Sequence, residues 1–166
     1  MGATYIPIAN NTLTSDAASV TFNNFTGYTD LILIANCRGS NDVESDINLQ
    51  FNADTGSNYS MTRMYGQVST AGTDRASNAS SIVVGRQGGT VFAPNIIHIF
   101  NYSNSTSHKS IIARSGHHSS DASAITLANV GMYRSNNAIT SITLIQTGAQ
   151  NYKTGSSFSL YGIKAA

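Results

Sequence analysis

The sequence predicts an all-β domain, an antiparallel sandwich with little or no helix, and two observations carry that expectation. The first is composition. Ser, Thr and Asn number 23, 17 and 17 among 166 residues, whereas charged residues make up only 10%. Short uncharged polar side chains hydrogen-bond the nearby backbone, so they suit turns and the wet face of a strand and disfavour helix. Glu44 is the only glutamate. The second is periodicity: brief alternating segments recur between clusters of Asn, Gly, Ser and Asp, and no window of about 12 residues carries a helical apolar stripe.

The elements follow in order. Pro7 sits in an N-terminal strand, which therefore belongs at a sheet edge. Segment 17–23 alternates, with Val20 and Phe22 on one face. Segment 29–38 is a continuous apolar run and is expected to be a central strand covered on both faces. Segment 46–53 turns Ile47, Leu49 and Phe51 inward and leaves Asn48, Gln50 and Asn52 to water. Residues 59–81 form a polar arm, with 69–80 expected as a flexible loop and exposed tip. The GRQGG of 85–89 reads as a glycine-rich turn.

Pro94 precedes a strand over 95–103, in which Ile97 and Ile99 share one face and Ile96, His98, Phe100 and Tyr102 the other. Strands over 108–115, 122–134, 139–147 and 157–163 complete about nine or ten. The length suits one domain, 1–166, with no linker or repeat.

A net charge of +1 with scattered basic residues argues against nucleic acid or an anionic membrane as partner. No apolar stretch is long enough to span a bilayer as a helix, and the N-terminus lacks the pattern of a signal peptide. Cys37, alone and in an apolar run, reads as a buried, inert thiol.

Catalytic patterns are missing. Most of the eight acids fall where Asp caps a turn, so no facing carboxylate pair is indicated for glycoside hydrolysis. Asp42, Glu44 and Asp46 alternate and would project to one side, either as a solvated start of a strand or as a calcium site. Asp54 and Asn58 flank Gly56 without the carboxylate spacing of a calcium loop. His117 and His118 are adjacent and point to opposite faces, and no HExxH, CxxC, GxSxG or P-loop occurs. The expectation is a protein that is not an enzyme, with no cofactor and no metal. Tyr beside Asn and Ser can serve a binding surface, which makes Tyr59, Tyr65, Tyr102, Tyr133 and Tyr152, with Arg75, the candidate partner-binding residues. The alternative use of each Tyr is packing at a strand end with its hydroxyl on the backbone.

Three stretches, YTDLILIANCRG (28–39), INLQFNADTGSNYS (47–60) and SFSLYGIK (157–164), together resemble bacteriophage virion proteins. Tyr102 to Asn104, the following Lys109, and AITSITL (138–144) fall in the familiar order between them. The resemblance implies a jelly-roll or related sandwich with a structural role in the virion, assembled in the host cytoplasm. With no heptad or β-helical repeat beside the sandwich, it favours a capsid decoration (cement) protein, bound to the major capsid protein or other virion proteins as a homotrimer. The alternative is a tail-fibre or tail-tip domain that binds a host surface glycan or protein.

Overall fold

The structure is a computed structural model that describes residues 4–118, 124–148 and 150–164. All twelve of its strands pair antiparallel: β1 (Tyr5–Thr12), β2 (Ser19–Asn23), β3 (Asp30–Cys37), β4 (Ser45–Phe51), β5 (Tyr59–Gln67), β6 (Thr70–Ala79), β7 (Ile82–Gln87), β8 (Ala93–Ile99), β9 (Lys109–His118), β10 (Ala124–Tyr133), β11 (Ser141–Gln146) and β12 (Ser157–Ile163). Eight form one sheet in the order β1-β12-β3-β8-β9-β10-β5-β6, and four form another in the order β2-β11-β4-β7.

The pairing has a nested logic. β1 pairs with β12, β2 with β11, β3 with β8 and β4 with β7. One long antiparallel ribbon wound onto itself gives this pattern, which is the jelly roll. Two hairpins are inserted into it, β5–β6 between β4 and β7, and β9–β10 between β8 and β11. β9 joins the edge of β8, and β5 joins β10, so both hairpins extend the same sheet. The small sheet is not extended to match. β7, its last strand, lies across β8, β9 and β10, and the large sheet runs on past it.

Strands alternate as expected where one side chain in two is apolar. Val20 and Phe22, the trio Ile47, Leu49 and Phe51, and the pair Ile97 and Ile99 all enter the core between the sheets. Cys37 is fully buried there, and burial pushes its thiol far above the ordinary value. β1 is an edge strand, with a bulge between Pro7 and Ala9. Its missing N–H is cheap at an edge.

Four expectations need correction. There are twelve strands rather than nine or ten, because 69–80 is strand β6 and not a flexible loop. Small polar residues carry no hydropathy signal, but the ladder from Gln67↔Thr70 to Tyr59↔Ala79 and the Arg63–Asp74 pair hold that hairpin. The GRQGG run is strand as far as Gln87: Gly85 leaves the space that the Asn95 side chain fills, with Oδ1 accepting the Arg86 N–H at 3.0 Å. Pro94 is the second residue of β8, opposite Asn36, rather than preceding the strand. Finally, β3 is covered throughout on one face only, since on the other Ile32 is buried but Ile34 is 38% exposed, while Asn48, expected in water, is buried against Ser81.

One end of the sandwich is closed by side chains from the motifs singled out above. Asn52 adopts φ 54° and its Oδ1 accepts the N–H groups of Thr140 (2.8 Å) and Ser141 (3.2 Å), while Nδ2 donates to the Ala138 carbonyl at 2.9 Å. Asn enters the left-handed conformation at a smaller cost than Ala, although the neighbouring Ala53 is held there too, at φ 54°. Asn52→Ala is therefore expected to cost about 2–3 kcal/mol, from orphaned backbone groups plus strain, read as a lowered urea midpoint at constant slope.

Candidate functional site

Of the six candidate partner-binding residues, four are core. Tyr59 is fully buried, and its hydroxyl accepts the Phe51 N–H at 3.0 Å and donates to the Asp54 carbonyl at 3.0 Å. Its ring stacks on Tyr133 at 4.9 Å, and Tyr133 donates to Asp54 Oδ2 at 2.9 Å. Tyr102 packs edge-on against Phe25 at 5.5 Å, because Asn101 at φ 51° breaks the alternation that would have left it outside. Tyr152 is buried edge-on against Phe158 at 5.0 Å. All four rings are packed in the core rather than offered to a partner; Tyr59 sets its hydroxyl on the backbone as the alternative expected, Tyr133 sets its own on a side chain, and that of Tyr152 has no partner among the described residues. Tyr65 is half-buried and Arg75 exposed, on opposite faces of the extended sheet.

The FNADTGSNY loop is likewise closed on itself. Asp54 accepts from the Asn58 side chain (2.8 Å), the Gly56 N–H (2.8 Å) and Tyr133, and these bonds hold its carboxyl below the ordinary carboxylate value. No oxygen array for calcium results.

Asp42, Glu44 and Asp46 are not a cation site either, because each is met by a basic side chain. Arg38 donates to Asp42 at 2.8 Å, Arg86 Nε lies 3.6 Å from Glu44, and Arg63 donates to Asp46 at 3.0 Å. Among the described residues no group of three metal-ligating side chains converges. Instead, Glu44 and Asp46 enter a cleft of about 390 Å³ where the large sheet overhangs the small one. Arg63, Tyr65 and Asp74 of the β5–β6 hairpin form one wall, Glu44, Asp46 and Arg86 the other, and Ile125 and Leu127 of β10 the apolar floor. Burial alone would push the Arg63 guanidinium down, but hydrogen bonds from Asp74 and Asp46 hold it above its ordinary value. His117, its side chain buried, sits behind Glu44 with Nε2 at 3.0 Å. Sequence reasoning noted the acids but missed this site, because β6 supplies Asp74 and that strand had no pattern to read.

The second feature is the outer face of the large sheet. Ladder partners share a face, so one row runs Ile32, His98, Ile112, Val130 and Thr62, and the next Ile34, Ile96, Arg114, Ala128 and Met64. Ile112, Val130 and Met64 are 49%, 54% and 56% exposed. His98 stacks on Phe100 at 3.8 Å, and burial pushes its imidazole below the ordinary value, so the row is uncharged at neutral pH. Arg75 ends the first row beyond Thr62, and Arg114 interrupts the second between Ile96 and Ala128.

No protein-family model, curated protein or solved structure matches the chain.

Proposed function

We propose that the chain is a non-enzymatic structural protein of a bacteriophage particle, a decoration protein that docks on the outside of the capsid through the outer face of its large sheet. The observation that supports this reading is that outer face, where Ile34, Met64, Ile112 and Val130 stand exposed in two adjacent rows. Five strands about 4.8 Å apart and about 24 Å long give roughly 600 Å², with more on the flanking strands, against about 800 Å² per partner in an ordinary stable interface. Exposed aliphatic side chains with Arg114 among them and Arg75 at the end fit an interface, where arginine is the charged residue that is enriched. The resemblance of the Asn52, Asp54 and Lys109 segments to virion proteins points the same way, and those residues fasten loops rather than perform chemistry. A homotrimer on the capsid belongs to this reading.

Purified protein added to undecorated capsids is expected to raise their resistance to heat and osmotic shock. The double variant Ile112→Asp, Val130→Asp should retain the fold, since both side chains are in water already, and lose binding by at least ~100-fold (about 2.8 kcal/mol). Capsids left unbound and unprotected by the unaltered protein would overturn the proposal. A clean monomer in dilute buffer by sedimentation would remove the trimer for the free protein.

A further inference from the structure

The cleft beneath the overhang has the makings of a ligand site, and three observations define what it would take. The first is charge balance. Glu44, Asp46 and Asp74 face Arg63 and Arg86, already paired as Arg63 with Asp46 and Asp74, and Arg86 with Glu44. An anion entering the cleft would meet three carboxylates, and a cation would have to displace a guanidinium from its bonds. A neutral ligand breaks no pair. It can donate hydroxyls to carboxylate oxygens and accept from guanidinium N–H groups, which are the stronger class of hydrogen bond.

The second observation is unmet polarity. Asn129 does not itself line the cleft, but it stands directly opposite Arg63 in the ladder and two residues from Leu127, both of which do. It is 1% exposed, yet neither its Oδ1 nor its Nδ2 has a hydrogen-bond partner. Arg86 Nε, in the cleft wall, is buried without a hydrogen bond as well, with Glu44 Oε2 3.6 Å away, whereas Glu44 Oε1 has His117 Nε2 at 3.0 Å. A buried amide with both ends open costs stability unless something supplies donor and acceptor. An unmet guanidinium N–H in the cleft wall, with carboxylates beside it, suits a ligand group that both accepts and donates, as a hydroxyl does.

The third is the apolar floor of Ile125 and Leu127, with the ring of Tyr65 beside them. Gly72 lies opposite Tyr65 in the ladder, and the ring rests where a Cβ on that glycine would come within 2.6 Å of it. A ligand matching this wall has one face of C–H groups. At about 390 Å³ the cleft is at the small end of ligand sites.

From hydroxyl-rich edges, an apolar face, neutrality and small size we infer that the cleft binds one residue of a neutral carbohydrate. The inference does not rest on the docking surface, which lies on the opposite face of the sheet.

Saturation-transfer NMR on the full chain tests it, with the methyl glycosides of glucose, galactose, mannose and N-acetylglucosamine as probes, and N-acetylneuraminic acid and glucosamine as charged comparisons. Saturable transfer to at least one neutral probe is expected, weakened at least ~10-fold in Glu44→Gln and in Asp74→Asn. Asp74 is 44% exposed in its side chain and lies on an edge strand, so its variant keeps the test open should Glu44→Gln fail to fold. No transfer to any neutral probe would overturn the inference. So would transfer undiminished in the folded variants, which would put the sugar elsewhere, or tighter binding of either charged sugar.

Discussion

Above pH 10 the protein is expected to lose stability steeply and to unfold in alkali well before its surface groups alone would require it. Tyr59, Tyr102, Tyr133 and Tyr152 are all buried, and burial raises each phenol above its ordinary value of 10.0. The sign follows from which state holds the proton. Below pH 10 the phenols are neutral in both states and their contribution is intact. Above it the unfolded chain releases protons that the folded chain keeps, so each further pH unit favours unfolding by about 1.4 kcal/mol per group. Tyr59 and Tyr152, the two raised furthest, together remove roughly 3 kcal/mol by one unit past their ordinary value, a large share of the stability of a small domain, and Tyr102 and Tyr133 act in the same direction. Cys37, raised by its burial from an ordinary 9.0, starts the decline one unit earlier.

Urea titrations at successive pH values should show the midpoint falling, and tyrosinate absorbance should rise together with loss of strand dichroism. Tyr152→Phe sharpens the test. Its hydroxyl has no hydrogen-bond partner among the described residues, so the variant should lose little at pH 7 and flatten the alkaline slope by about 1.4 kcal/mol per pH unit. Phenols that titrate at 10 with the fold intact would show that these rings are not sealed.

What could be read from the sequence, and what could not, divides along one physical line. Alternation of apolar with polar residues announces a strand because water sorts the two faces. Segments such as SVTFN and DINLQF, where every second residue is aliphatic or aromatic, therefore declare themselves, whereas β7, the jelly-roll partner of β4, is hidden by the glycines of its GRQGG run. β6 has no such contrast. Its residues, TAGTDRASNA, are small and polar on both faces, and its order comes from ladder bonds to β5 and from Asp74 on Arg63. A loop and an edge strand of that composition look alike until the partner strand is known.

The site was legible in the same partial way. Asp42, Glu44 and Asp46 were visible as a spaced trio, but their meaning depended on Arg38, Arg86 and Arg63, which lie 4, 42 and 17 residues away in sequence. Tyrosines in polar surroundings were read outward, although a phenol whose hydroxyl reaches a turn carbonyl can be entirely inside, as Tyr59 is. Asn101 and Asn52 defeated simple alternation for a different reason: a single residue at positive φ turns the chain, and Asn occupies that region at small cost.

Lys109 is the remaining position where a single substitution should have a large effect. It is fully buried, an unusual place for a lysine, and its Nζ donates to the carbonyls of Ser107 (2.7 Å), Ser135 (3.3 Å) and Asn136 (3.3 Å). Those bonds tie the β8–β9 loop to the β10–β11 loop, while Asn104 Oδ1 fastens the former by accepting the N–H groups of Thr106 (2.7 Å) and Ser107 (2.8 Å). Methionine fills similar space but donates nothing, so Lys109→Met leaves three carbonyls facing an apolar group. At about 1–3 kcal/mol for each buried group left unpaired, the cost is expected to be about 4 kcal/mol, less where water reaches a carbonyl. Burial lowers the Lys109 amine from its ordinary 10.5, so below that pH the unfolded chain binds the proton more readily than the folded one. The stability lost on substitution should therefore widen as pH climbs towards 10.5 rather than narrow. Urea titrations of both proteins at pH 7 and pH 9 read this directly. A cost under about 1 kcal/mol would mean that the two loops hold without the lysine, and a gap that closes with rising pH would reverse the sign argued from its burial.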